Sequence, residues 1–332
     1  VHVVVRADGG PDIGYGHLVR SGALAEELLS RGHGVTYATT TPENVREVCP
    51  EAVDTVELPK RGDPEPFVAW LDTEPPDIVF TDAYPVDTDY QRAVRDRVPL
   101  VVMQDDARHA VCADAFVNGN LYAPELDYGW DGDEPDWYLG TEYLLLRRSF
   151  RRLMRRDPPR RDAPERGLIL MGGSDTENTT PRAMRAFASL CASLEVTVIV
   201  GPGVDDHDGI KRVASESGVD YRIREDPESL PELMFDADVA VSALGSTAYE
   251  LLATRTPFVG VVHAANQRLI ADALINRDAA IVADGDDPST LADALEPLVT
   301  NRERWRQLRE RASEFVSGEG SAAVASVLES LG

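Results

Sequence analysis

Lysine is almost missing from this 332-residue chain. Only Lys60 and Lys211 occur, so arginine carries nearly all of the 33 basic positions, set against 58 acidic ones for a formal charge of −25. Such a balance works against binding duplex nucleic acid by phosphate neutralisation. The acids are scattered rather than collected in a tail, and hydrophobic content is an ordinary 43%. A densely acidic, lysine-poor surface is expected to suit concentrated salt, where screening relieves self-repulsion, so the chain reads as halophilic. Cysteine is scarce too: Cys49, Cys112 and Cys191 are far apart and form no C-x-x-C pair. Neither a disulfide framework nor a zinc site is signalled, no metal is expected, and a reducing cytoplasm fits. No apolar run approaches the roughly 18 residues of a membrane span, and the start has no signal-peptide pattern, so neither a span nor export is expected. The chain opens at Val1, which is expected to follow a removed initiator methionine. Gly-Lys-Ser/Thr occurs nowhere, which excludes a P-loop.

What is present is a rhythm of short apolar runs and helical patterns. In the first half the runs are Val1–Val5, Val35–Tyr37, Ile78–Thr81, Leu100–Met103 and Ala115–Val117. Helical patterns over Gly16–Arg31, Pro42–Val48, Glu65–Asp72 and Asp87–Asp96 fall between the runs. This alternation predicts a parallel sheet with crossover helices. An arginine- and proline-bearing stretch, Arg151–Asp162, interrupts it, and a fresh strand follows at Gly167–Met171. We therefore expect two α/β domains, residues 1–155 and 156–332, each of ordinary domain size. The second repeats the pattern, with strands at Val196–Val200, Tyr221–Ile223, Val239–Ser242, Pro257–Val261 and Ala280–Val282. Its helices are expected at Pro181–Ala192, Gly209–Glu216, Ser246–Ala253, Asn266–Asn276, Ser289–Val299, Arg302–Val316 and Ser321–Leu331.

The richest segment is the first strand-to-helix loop, which carries Gly9, Gly10, Gly14 and Gly16 and then His17. His17 is expected in the first turn of a helix after a buried parallel strand, where open α/β sheets bind ligands. The positive end of the helix dipole opposes a charged imidazole there, a setting for a general base; a histidine that merely packs is the plain alternative. Gly14-x-Gly16 lacks the third glycine of a dinucleotide fingerprint, with Val19 in its place, and no acid ends the second strand at Tyr37–Thr39. NAD is thereby disfavoured, and no cofactor is expected.

Two loops of the second half offer phosphate sites. Gly172-Gly173-Ser174-Asp175 would let a phosphate approach backbone N–H groups, or would be a glycine turn with Asp175 as a local cap. Gly245-Ser246-Thr247 opens a helix on which Ser246 and Glu250 share a face, so the N–H groups suit a diphosphate and Glu250 a ribose. The same residues also spell a capping box, Thr247-x-x-Glu250, in which the glutamate serves only its own helix. Asn266 and Gln267 offer amides to a sugar or phosphate, with Asn266 alternatively an N-cap. In the first half Asp82, Tyr84, Asp105 and Asp106 follow two successive strands and should gather at the sheet edge that carries His17.

Together these motifs resemble the PseG/SpsG family of UDP-sugar hydrolases of pseudaminic acid synthesis and spore-coat polysaccharide proteins, themselves similar to the GT-B enzyme MurG. The resemblance spans nearly the whole chain. It rests on Arg6-x-Asp8, Ile13-Gly14-x-Gly16-His17-x-x-Arg20, Asp82-x-Tyr84, Asp105-Asp106, Asn118 and Gly172-Gly173-Ser174-Asp175. It continues through Leu233-Met234, Ala237-Asp238, Gly245-Ser246-Thr247-x-x-Glu250 and Asn266-Gln267. It implies a GT-B fold of two Rossmann-like domains facing a cleft, with UDP on the second domain and the sugar on the first. It implies a metal-independent, inverting hydrolase with His17 as base and Asp82 and Tyr84 beside it. A GT-B glycosyltransferase is the alternative, and a nucleotide-sugar binding subunit a third; the expected state is a monomer or weak homo-oligomer. The chain departs from the family pattern at Leu244-Gly245, where a glycine pair is usual, and at Asp12-Ile13 and Ala83.

Overall fold

The computed structural model describes all residues except 174, 176, 191–193, 202, 205, 226 and 228. The chain divides into two compact units: Val1–Arg148 with Gly318–Gly332, and Ser149–Ser317.

In the first unit the elements run β1 (His2–Ala7), α1 (Gly16–Ser30), β2 (Gly34–Thr39), α2 (Pro42–Val48), β3 (Asp54–Glu57), α3 (Pro64–Leu71), β4 (Ile78–Asp82), α4 (Thr88–Arg95), β5 (Leu100–Met103), β6 (Ala115–Asn118) and β7 (Asp136–Leu139). The strands form one parallel sheet in the order β3-β2-β1-β4-β5-β6-β7. Val4 lies between Thr36 and Val79 in register. Central strands covered on both faces need continuous apolar runs, and Val3, Val4 and Val5 are all fully buried. The sheet reverses direction of growth between β1 and β4, the switch point at which such sheets take ligands.

The second unit contains α5 (Arg148–Met154, whose first residue belongs to the first unit), β8 (Arg166–Leu170), α6 (Thr180–Ser189), β9 (Glu195–Val200), α7 (His207–Glu216), β10 (Tyr221–Glu225), α8 (Leu230–Asp236), β11 (Val239–Ala243), α9 (Ser246–Ala253), β12 (Phe258–Val261), α10 (Arg268–Asn276), β13 (Ile281–Ala283), α11 (Pro288–Thr300) and α12 (Arg302–Phe315). Its parallel sheet is ordered β10-β9-β8-β11-β12-β13, with the switch between β8 and β11. Four of the chain's aspartates serve as helix caps: the side chains of Asp63, Asp87, Asp206 and Asp287 each accept from a backbone N–H in the first turn of their helix.

The expected domain division is corrected in two ways. The change of unit falls at Arg148, and the last helix, α13 (Gly320–Leu331), belongs to the first unit rather than the second. It packs along α1, with Val324 and Leu328 in one apolar cluster with Leu24 and Leu28. Gly320 permits this, because a Cβ there would lie 2.1 Å from the Leu144 carbonyl oxygen. Arg31 then ties the pair by donating to the Ala322 carbonyl, Ser326 and Glu329. Strands β3 and β7 and helices α5 and α8 were not foreseen, since Asp54–Glu57 and Asp136–Leu139 are half polar edge segments. Of the helix expected over Pro181–Ala192, residues 191 and 192 lie outside the described residues.

Candidate functional site

At the switch point of the first sheet, β1 delivers the glycine loop and β4 delivers Asp82. Gly14 has φ +85°, which favours glycine, and neither Gly14 nor Gly16 has an atom within 4 Å of where a Cβ would stand, so the loop borders open space. Gly9 differs: its Cβ would sit 2.7 Å from Leu18, so that glycine lets the loop lie against α1. Tyr15, the N-cap residue of α1, makes no side-chain cap hydrogen bond, and His17 is the second residue of the helix.

His17 is 7% exposed, and its Nδ1 lies 2.7 Å from Asp82 Oδ1. One turn along the same helix face, Arg20 grips Asp82 with both edges of its fork, Nε to Oδ2 at 2.7 Å and Nη2 to Oδ1 at 2.5 Å. Its remaining nitrogen, Nη1, donates to Asp105 Oδ1 at 2.5 Å. One guanidinium therefore sits between two carboxylates that would otherwise repel each other. Arg20 Nη2 also lies 3.2 Å from His17 Nδ1. A bare nitrogen lone pair 2.7 Å from a carboxylate oxygen would be repulsive, so Nδ1 carries the proton and donates to Asp82. That assignment leaves His17 Nε2 as the basic atom.

Burial alone would raise the Asp82 carboxyl, but the charges of Arg20 and His17 and their hydrogen bonds outweigh it and hold it well below the ordinary carboxylate range. Asp105 is shifted the same way, burial opposing and Arg20 prevailing. Burial works against the Arg20 cation, yet Asp105 and Asp82 raise it further still.

Tyr84 meets the His17 ring edge-on, centroids 4.7 Å apart at 88°, and donates its hydroxyl to Asp105 Oδ2 at 3.3 Å. Arg108 lies over the Tyr84 ring, 4.0 Å from its centroid, and is held by Asp106 at 2.6 Å. His17, Arg20, Ala83, Tyr84, Met103, Gln104 and Arg108 line a small pocket with about the room that one water needs.

Three expected ligand contacts are scaffold instead. Arg6 and Asp8 have no exposed surface and pair at 2.8 Å. Asp8 Oδ1 also accepts from Thr39 Oγ1 and the Thr40 backbone, fastening the end of β2 to β1. Asn118 is fully buried, with its amide donating to Tyr128 Oη and its Oδ1 accepting from Asn120. It is Asn120, two residues on, that reaches Asp105 at 3.0 Å. Asn120, Arg108 and Gln104 were missed because nothing in their spacing separates them from ordinary loop polar residues. Their position directly past β5 and β6 was the available signal.

In the second unit Gly172 has φ +78° and open space at its Cβ position, and it follows β8 at the switch point. Gly201 packs under this loop, where a Cβ would stand 2.5 Å from the Gly172 carbonyl oxygen and 2.7 Å from that of Gly173. Ser174 lies outside the described residues. Asp175 is a cap: Oδ1 accepts from Thr179 N at 2.8 Å and Oδ2 from Thr180 N at 2.7 Å, so its expected ligand contact gives way to the local reading.

At β11 the opposite holds. α9 starts at Ser246 with Gly245 as N-cap and no side-chain cap, so Thr247 stands inside the helix and the capping box is not formed. Ser246 and Glu250 lie one turn apart on one face, and open space adjoins Gly245. Gln267 Oε1 accepts from His263 N at 2.7 Å, so its side chain secures the turn after β12, while Asn266 is exposed and is not an N-cap.

No protein-family model matches the chain. It is 21% identical over its whole length to the spore coat polysaccharide biosynthesis protein SpsG of Bacillus subtilis, covering 98% of that protein. An uncharacterized protein of Methanocaldococcus jannaschii is 24% identical over 77% of the chain, which spans about half (54%) of that relative's length. Among solved structures, MurG of Acinetobacter baumannii superposes with a TM-score of 0.73 at 15% identity, over 99% of this chain and 100% of that one. The calicheamicin glycosyltransferase CalG4 follows at 0.67 and 19%, over 99% and 98%. Two parallel-sheet Rossmann-like units matching these structures along their length constitute the GT-B fold.

Proposed function

We propose that this chain is a nucleotide-sugar enzyme of glycan biosynthesis, in which His17 acts as general base on a hydroxyl that attacks the anomeric carbon of a UDP-sugar. The observation that carries the reading is the His17–Asp82–Arg20 arrangement: a buried, charged carboxylate fixes the Nδ1–H tautomer and leaves Nε2 to take a proton. The attacking oxygen gives its proton to Nε2, bonds to the anomeric carbon, and the bond to the diphosphate breaks with its electron pair on UDP. Attack opposite the leaving group inverts the anomeric centre. Asp82 is a positioning residue, and Tyr84 shapes the pocket beside the imidazole.

The diphosphate falls to the second unit, to N–H groups at the Gly172-Gly173 turn and at the uncapped start of α9, which stabilise developing charge. Glu250, one turn into α9, takes the ribose hydroxyls. The fold's solved neighbours favour an alcohol as acceptor, making the reaction glycosyl transfer. A second reading, hydrolysis as the PseG resemblance implies, is favoured by the size of the pocket at His17, which suits water. In either case the enzyme works in the cytoplasm of a salt-loving cell, consistent with its charge of −25.

Phosphorus and proton NMR of the protein with a panel of UDP-sugars, first without and then with sugar or lipid alcohols, tests this. Free sugar and UDP without an acceptor establish hydrolysis, and UDP released only with an alcohol establishes transfer. No UDP release under any condition refutes both.

A further inference from the structure

Gln104 follows β5 and is 9% exposed, and its orientation is set by a chain of hydrogen bonds. The Cys112 backbone N–H donates to Gln91 Oε1 at 2.8 Å, so the other end of Gln91 is its NH2 group, which donates to the Val86 carbonyl at 3.0 Å and to Gln104 Oε1 at 3.3 Å. Gln104 therefore turns its own NH2 the other way. That nitrogen is buried and has no hydrogen-bond partner among the described residues, while the residue lines the one-water pocket with His17. A buried amide donor without an acceptor is costly and rare, and it is resolved when an oxygen is bound.

We infer that Gln104 is a further catalytic residue: its Nε2–H donates to the nucleophilic hydroxyl oxygen, of water or of an acceptor alcohol, that His17 Nε2 deprotonates. The two groups are complementary. One donates to the oxygen and the other accepts from it, so an oxygen seated in so small a pocket has one O–H directed at the imidazole and a lone pair left to face the anomeric carbon. On attack the proton passes to His17 and Gln104 keeps both of its own. Thr81 Oγ1, also buried without a partner among the described residues, is the competing explanation, through a purely structural water shared by Thr81 and Gln104.

This inference rests on the proposed function, and the test separates the two. A high-resolution crystal structure of the wild-type protein needs neither turnover nor a variant. An ordered oxygen within about 3.2 Å of both His17 Nε2 and Gln104 Nε2 is the expected result, and a water on Thr81 and Gln104 without His17, or no oxygen there, overturns the inference. That observation stands or falls even if no nucleotide sugar is turned over, the outcome that refutes the function itself. With an active substrate, Gln104→Met, similar in volume but without the donor, is expected to lower kcat about 10–100-fold with KM for the UDP-sugar and UDP affinity unchanged. A kcat within about twofold of wild type, with a lowered Tm, makes Gln104 structural and overturns the assignment.

Discussion

Asp82→Asn isolates the base from the rest of the site. Asp82 accepts three hydrogen bonds, from His17 Nδ1, Arg20 Nε and Arg20 Nη2, and has no exposed surface. An asparagine offers one oxygen and one NH2, so whichever way it turns a donor meets a donor. With NH2 at the Oδ1 position, the imidazole must accept at Nδ1 and carry its proton on Nε2, the wrong tautomer for a base. With NH2 at the Oδ2 position, it opposes Arg20 Nε. A carboxylate-to-amide change behind a catalytic imidazole costs on the order of 10⁴-fold in kcat where the imidazole is the base. The stability cost is bounded by the ion pair: breaking a buried pair costs about 3–5 kcal/mol, but Arg20 keeps Asp105 and is partly exposed, so about 2–3 kcal/mol is expected. Steady-state UDP release, with thermal unfolding and UDP titration as controls, measures both effects. Asp82→Asn on top of His17→Ala should add little, because Asp82 acts through His17. If Asp82→Asn retains kcat within about tenfold while UDP affinity and folding are intact, His17 is not the base and the reasoning fails.

Acid stability should depend on the same cluster. Asp82, Asp105 and Asp8 are held low in the folded state, whereas their unfolded values lie near about 3.9, so below about pH 4 the unfolded chain takes up protons that the folded chain resists. The urea midpoint should therefore be flat above about pH 5 and fall as pH drops further, and less steeply in Asp82→Asn; a midpoint unchanged down to about pH 3 contradicts this. Glu250→Gln should weaken UDP binding about 10–100-fold by calorimetry, the loss expected for hydrogen bonds to a charged acceptor, and unchanged affinity removes Glu250 from the ribose site. With a charge of −25, the melting temperature should rise with molar potassium chloride, and a Tm indifferent to salt argues against the halophilic reading.

How much of the site was legible depended on the reach of each residue's partners. His17 stood out because a glycine loop leading from a buried strand into a helix is a local pattern, and the structure puts it in the first turn of α1 as expected. Asp82, Tyr84 and Asp105 were expected at the same sheet edge, and they meet His17 and Arg20 there. Arg6 and Asp8 looked like ligand contacts in the linear pattern yet are buried against each other, because their side chains meet Tyr90 of α4, Arg61 and the end of β2, whose positions no local spacing encodes. The capping-box reading of Thr247 and Glu250 failed for a local reason: the helix starts at Ser246 with Gly245 as N-cap, two residues earlier than a Thr247 cap requires.

The sequence by itself determined the two βα alternations, the parallel sheets and the strand ends from which the site loops spring, because hydrophobic period and glycine placement act over a few residues. Only the tertiary structure decided that the last helix returns to the first unit, that one arginine bridges Asp82 and Asp105, and that Gln104, whose buried Nε2 has no hydrogen-bond partner among the described residues, lines the pocket beside His17. Those outcomes depend on strand order, and strand order is fixed by burial between segments tens to hundreds of residues apart, a competition no local stretch of chain records.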